Sequence, residues 1–287
     1  MAVSKDPQKA TAGNPLSAVA RVAAVGVVGG AIMAAMAVPV VAGFGKASDV
    51  AAEQIGALPA ELATPPLPNR TYMLDADGNR IATLFDENRI EVPLSQISEN
   101  MQRAIVAVED ERFYEHNGVD VQGLIRAQLE NTASGSIRQG ASTLTMQYVK
   151  NVLVTAAADE DQVEAAVEQT TARKLQEIRY AVQVERELTK DEILNRYLNI
   201  AYFGSGAYGV EAASRRYFGH SANKLTPAEA ATLAGIVQSP VGYDPLINPE
   251  ESETRRNAVL TKMEAPDYIT PEQYQKALSK PIGSYPN

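Results

Sequence analysis

The sequence predicts a mainly α-helical protein with one small β element, placed behind a single membrane-spanning helix. Three observations carry this reading. A 24-residue run near the start holds no charge, two short apolar runs flank an Asp-Gly turn, and hydroxyl–acid pairs open one helix after another. The uncharged run, Val22–Gly45, is rich in Ala, Val and Gly and long enough to cross a hydrocarbon core. Lys5, Lys9 and Arg21 precede it against Asp6 alone, so residues 1–21 are expected in the cytoplasm and everything after 45 outside. Ala35-Met36-Ala37 would suit a cleaved leader, but the apolar run continues through Val38–Phe44, which favours an anchor. Residues 46–69 read as a linker ending in Thr64-Pro65-Pro66-Leu67-Pro68, since proline this dense favours an extended spacer.

The body spans residues 70–280, with 281–287 as the start of a tail. Tyr72-Met73-Leu74 and Arg80–Phe85 on either side of Asp75–Asn79 predict a β-hairpin. After Pro93 the pattern turns helical: Met101, Ile105 and Val108 share one face of a helix ending near Glu109. Thr189-Lys190-Asp191-Glu192, Thr226-Pro227-Ala228-Glu229 and Thr270-Pro271-Glu272-Gln273 are capping boxes, two of them with proline at the first helical position. Ser221-Ala222-Asn223-Lys224 fits the S-x-x-K nucleophile pattern, but no K-T-G follows and it reads as loop.

Composition narrows the chemistry. The 287 residues contain no cysteine, which excludes disulfides and thiolate chemistry, and only His116 and His220, too few for a histidine-rich zinc site. Net charge is −9, against nucleic acid as a partner. An anionic ligand must therefore be met by local cations.

Three constellations supply candidates. Glu109–Gly118 (EDERFYEHNG) sets Glu109 and Asp110 where a helix should end. There the negative end of the helix dipole disfavours a charged carboxylate and suits a general acid or base. Phe113, His116 and Gly118 add geometry. Gln139–Asn151 (QGASTLTMQYVKN) follows, where Gly140 permits close backbone approach and Ser142, Thr143, Thr145, Gln147 and Asn151 are neutral polar groups. Lys150 is a point charge suited to phosphate; the same residues also make an ordinary polar helix face with a capping hydroxyl. In Arg173-Lys174-Leu175-Gln176-Glu177, the two cations precede Glu177 by four and three positions and hold it ionised. Alone, such a pair is usually a solvated surface contact.

In order, these blocks resemble the first three motifs of the peptidoglycan glycosyltransferases, glycosyltransferase family 51, found at the N-terminus of class A penicillin-binding proteins. Lys190–Asn199 (KDEILNRYLN) is similar to the fourth motif and Arg256–Leu260 (RNAVL) to the fifth. The chain departs from the pattern at Ala141 and Met146 and in an acidic insertion over 156–168. The resemblance implies a lysozyme-like α fold with a membrane-embedded jaw between the first two motifs. It implies polymerisation of lipid II into glycan strands with inversion at C1 and release of undecaprenyl diphosphate. Glu109 would be the base on the acceptor hydroxyl. Glu177 would stabilise the leaving diphosphate, directly or as ligand to Mg²⁺ or Mn²⁺. Asp110, Phe113, His116, Gly140, Ser142, Thr143, Thr145, Gln147, Lys150, Asn151, Arg173 and Lys174 would bind substrate. Membrane lipid, cell-wall synthesis proteins and a transpeptidase would be its partners; these 287 residues lack the transpeptidase domain of the bifunctional proteins, either natively or by truncation. A lysozyme-like hydrolase would also use a glutamate, but needs neither Lys150 and Lys174 nor an anchor. A non-catalytic scaffold would gain nothing from keeping both glutamates.

Overall fold

The computed structural model describes residues 62–85, 87–123, 142–168 and 170–282. The expected cytoplasmic tail and membrane helix, the linker up to residue 61, the 124–141 segment with Gly140, and 283–287 lie outside them. Among the described residues no helix is long and apolar enough to cross a membrane.

Asp75 shapes the hairpin: its carboxylate accepts the amides of Asp77 and Asn79 at 2.9 and 2.7 Å, and Gly78 takes a positive φ of 83°. Strands β1 (Thr71–Leu74) and β2 (Arg80–Leu84) pair antiparallel from Thr71 opposite Leu84. Further on, β3 (Asn88–Arg89) and β4 (Ala207–Tyr208) form a short parallel pair that the sequence does not foretell.

The rest is helix. Ser98 caps α1 (Glu99–Glu109) and Thr143 caps α2 (Leu144–Ala156) through side-chain oxygens. The acidic insertion folds as α3 (Glu160–Val167), capped by Asp159. There follow α4 (Thr171–Glu187), α5 (Lys190–Ile200), α6 (Val210–Phe218), α7 (Pro227–Ile236), α8 (Pro249–Glu264) and α9 (Pro271–Leu278). The capping boxes at Thr189, Thr226 and Thr270 are all formed.

Helix α7 explains one half of the core. Its segment PAEAATLAGI is apolar all round, so it buries every face and packs against α1, α8 and α9. The other half gathers around α2, which packs on α3, α4 and α5. Asn199 ties the strand region to α5: its amide gives a hydrogen bond to Val92 O and takes one from Val92 N, at 2.9 and 3.0 Å. The proline-rich end of the linker lines a cleft with Tyr148, Val152 and Asn195. Leu67 there packs on the core. The residue just past α1, Asp110, bonds the first residue of α2, Leu144.

Candidate active site

Each candidate carboxylate is placed by a helix terminus. Helix α1 stops at Glu109 because Asp110 leaves the helical region, with φ −158° and ψ 75°. Asp110 is buried and turns toward the start of α2, where it accepts the backbone amide of Leu144 at 3.0 Å. An anion at a helix N-terminus satisfies a donor that the helix itself cannot. The Nε2 of His116 meets the same carboxylate at 2.9 Å. Thr143 gives its hydroxyl to Gly118 O at 2.7 Å and accepts the Met146 amide at 3.2 Å. The loop of the first motif is thereby stapled to the first turn of α2.

Glu109 is half-buried and makes one hydrogen bond. Gln147 Nε2 donates to its Oε2 at 2.7 Å, and Oε1 has no partner among the described residues. Gln147 is itself held, since the Tyr197 hydroxyl donates to its Oε1 at 3.0 Å. Burial, and then the Glu109 charge, push the Tyr197 hydroxyl well above its ordinary value of 10.0, so it stays a donor at any working pH.

The second cluster sits at the N-terminal end of α2. Glu177 is buried; Arg173 NH1 bonds its Oε1, and Lys174 Nζ its Oε2 at 3.0 Å. Lys174 also reaches Ser142 Oγ at 2.5 Å, so α4 and the residues just before α2 meet in one charged node. Lys150 has no hydrogen-bond or ion-pair partner among the described residues and is half-buried. It lies at i+3 from Gln147, and Asn151 at i+4, so all three share one face of α2. One helical turn, about 5 Å of rise, separates the amide that holds Glu109 from the free ammonium.

The structure thus joins Glu109 to Gln147, whose face of α2 also carries Lys150 and Asn151, and separately joins Ser142, Arg173, Lys174 and Glu177. It places other predicted residues differently. Phe113 is fully buried, with Lys190 Nζ 4.5 Å from its ring centroid, and Thr145 is fully buried with its hydroxyl on Glu185 at 2.5 Å. Thr143 and Asp110 are buried and His116 half-buried, and their hydrogen bonds run to one another's segments. Gly140 lies outside the described residues. Tyr197 and Glu185 were not singled out by sequence. Tyr197 shares the helical spacing of Ile193, Leu194 and Leu198, which reads as plain core.

A metal needs free donors. Both Glu177 oxygens are engaged by cations. Among the described residues no three carboxylates or imidazoles converge. Among the described residues the protein groups alone do not make up the ligand set of a resident divalent cation.

These features coincide with a known family. The family model described as Transglycosylase matches residues 77–264, and the chain belongs to that family, that of the glycosyltransferase domain of class A penicillin-binding proteins. It is similar to penicillin-binding protein 1A of Aquifex aeolicus, 41% identical over 219 residues, covering 76% of this chain and 28% of that protein. Penicillin-binding protein 1A of Escherichia coli is 40% identical over 218 residues, with coverage of 76% and 24%. Penicillin-binding protein 2D of Bacillus subtilis is 37% identical over 221 residues, with coverage of 77% and 30%. The chain therefore spans less than a third of the length of these relatives. A crystal structure of penicillin-binding protein 1A from Haemophilus influenzae aligns with a TM-score of 0.42 and 25% identity, over 78% of this chain and 22% of that one.

Proposed function

We propose that this chain is a membrane-anchored peptidoglycan glycosyltransferase that polymerises lipid II on the outer face of the cytoplasmic membrane. One observation supports it above the rest: Gln147 holds one oxygen of Glu109, and among the described residues neither the other oxygen nor Lys150, on the same face of α2 as Gln147, has a partner. In this reading Glu109 takes the proton of the acceptor's 4-hydroxyl. The oxygen attacks C1 of the donor sugar, the C1–O bond to phosphate breaks with inversion, and undecaprenyl diphosphate leaves with the bonding electrons. Diphosphate is a good leaving group, so one base and charge stabilisation suffice and no covalent intermediate is needed. Lys150 would meet the departing charge as a point cation, with Arg173 and Lys174 beside it. Any Mg²⁺ or Mn²⁺ would take most of its ligands from the diphosphate, because the described residues offer no cluster of three carboxylates or imidazoles.

The run 22–45 would anchor the domain near its lipid-linked substrate, with 1–21 in the cytoplasm, 46–69 as spacer and 70–280 as the enzyme. A transpeptidase and other cell-wall synthesis proteins would work on the same strands. The test is polymerisation of fluorescent lipid II by the detergent-solubilised chain beside Glu109→Gln. Glycan ladders are expected from the wild type, and a rate at least about 10²-fold lower from the variant. Ladders of equal strength from both would remove Glu109 from its role. Lys150→Ala is expected to lose nearly all turnover as well, and full turnover in that variant would count against a phosphate-releasing polymerase.

A further inference from the structure

We infer that Tyr197 is a positioning residue for glycosyl transfer, acting through Gln147 to keep an amide donor on one oxygen of Glu109 and leave the other open to the acceptor. The inference rests on the proposed polymerase reading. It starts from a half-buried chain of donors: Tyr197 OH to Gln147 Oε1 at 3.0 Å, then Gln147 Nε2 to Glu109 Oε2 at 2.7 Å. A primary amide has two ends of similar shape and opposite polarity. With its oxygen presented to Glu109, it would repel the carboxylate that the base must be. Donation from Tyr197 to the amide oxygen opposes that flip and polarises the N–H that reaches Glu109.

The surroundings fit this role. Tyr197 has no exposed surface, and it stands on α5 between Leu194 and Leu198, both also fully buried. The ring is therefore fixed by packing, and the hydroxyl is a rigid peg. Phenylalanine would fill the same space and remove only the peg. The amide would then keep its contact with Glu109 but lose its fixed orientation. A core aromatic without this role would make Tyr197→Phe silent in the chemical step.

The experiment measures kcat and KM on lipid II for the detergent-solubilised wild type and Tyr197→Phe, together with their melting temperatures. It also follows the side-chain amide signals of Gln147 by NMR. The expected result is a kcat lower by about tenfold, the effect of one hydrogen bond lost from the transition state. KM should stay within about twofold and the Gln147 signals should move. A folded Tyr197→Phe with wild-type kcat overturns the inference, as do unmoved Gln147 signals. If Tyr197→Phe does not fold, 3-fluorotyrosine at 197 decides: it keeps the ring and changes the strength of the donor. A kcat that moves with KM constant supports the relay, and unchanged kinetics overturn it. A wild type that makes no glycan while the Gln147 signals still answer to Tyr197 defeats the polymerase reading, and the catalytic role of Tyr197 with it.

Discussion

Gly118 shows how much a single residue can decide. Its φ is +84°, and a Cβ built there would lie 2.9 Å from the carbonyl carbon and oxygen of Ala181 in α4. Real side chains do not approach backbone that closely, and an L-residue is strained at this φ. The glycine is needed because the loop of the first motif runs directly over α4, while Gly118 O accepts the hydroxyl of Thr143 at the head of α2. Gly118→Ala must push the loop off α4 or distort it. We expect a loss of about 2–4 kcal/mol in unfolding free energy, from backbone strain and overpacking together. Urea denaturation measures it, and a change under about 0.5 kcal/mol, the size of a neutral surface substitution, would mean the loop has room to spare. Sequence alone marks this glycine as part of a motif. Only the fold says that the reason is the neighbouring helix.

At the level of elements, the fifth motif proves to be scaffold. Arg256 on α8 is almost wholly buried and donates to the carbonyls of Leu278 and Lys280, which end α9, as well as to Glu253 and Asn257. Desolvation holds its guanidinium below the usual 12.5, opposed by the charge of Glu253. None of its partners belongs to the Glu109 or Glu177 clusters. Arg256→Gln should therefore cost about 2–4 kcal/mol in stability by leaving buried carbonyls unpaired. The kcat per folded molecule should stay near that of the wild type. A selective fall in kcat with unchanged stability would move the fifth motif into the site. Elements were also where the sequence was most legible. The hairpin rests on an Asp-Gly turn and the capping boxes on hydroxyls three positions before an acid or amide, all local signals, and all are formed. The β3–β4 pair was not legible, because two residues carry no periodicity and its partners are more than 100 positions apart. The site was legible in part for the same reason. Arg173 and Lys174 on Glu177 are contacts within one helix. Asp110 on Leu144, and Tyr197 on Gln147, join segments 34 and 50 positions apart.

Across the whole molecule, charge is distributed against the global balance. A chain of net charge −9 gathers Arg173 and Lys174 on Glu177, and on α2 it carries Lys150 with no partner among the described residues, so an anionic ligand would be met by local cations. The interior, by contrast, stores neutral phenols. Burial raises Tyr197 well above 10.0, aided by Glu109, and it raises Tyr217, whose hydroxyl bonds Phe203 O at 2.9 Å and Asp244 at 3.0 Å. Outside the interior, partial desolvation and Asp191 raise the exposed Tyr114 to about 12, and partial desolvation with Glu87 raises the half-buried Tyr208. The unfolded chain releases these protons near pH 10, whereas the folded chain keeps them. Above that point the unfolded state binds fewer protons, so stability must fall as pH rises. The contribution is fully present below pH 10 and is lost as pH climbs through the raised folded values. Each fully buried phenol, Tyr197 and Tyr217, adds about 1.4 kcal/mol per pH unit to the slope. Urea midpoints should therefore be level from about pH 7 to 9.5 and drop steeply beyond it. In Tyr197→Phe/Tyr217→Phe the drop should be shallower by the two withheld protons. An alkaline limb of equal steepness in both proteins would show that other groups, and not these buried hydroxyls, set the upper pH boundary of the fold.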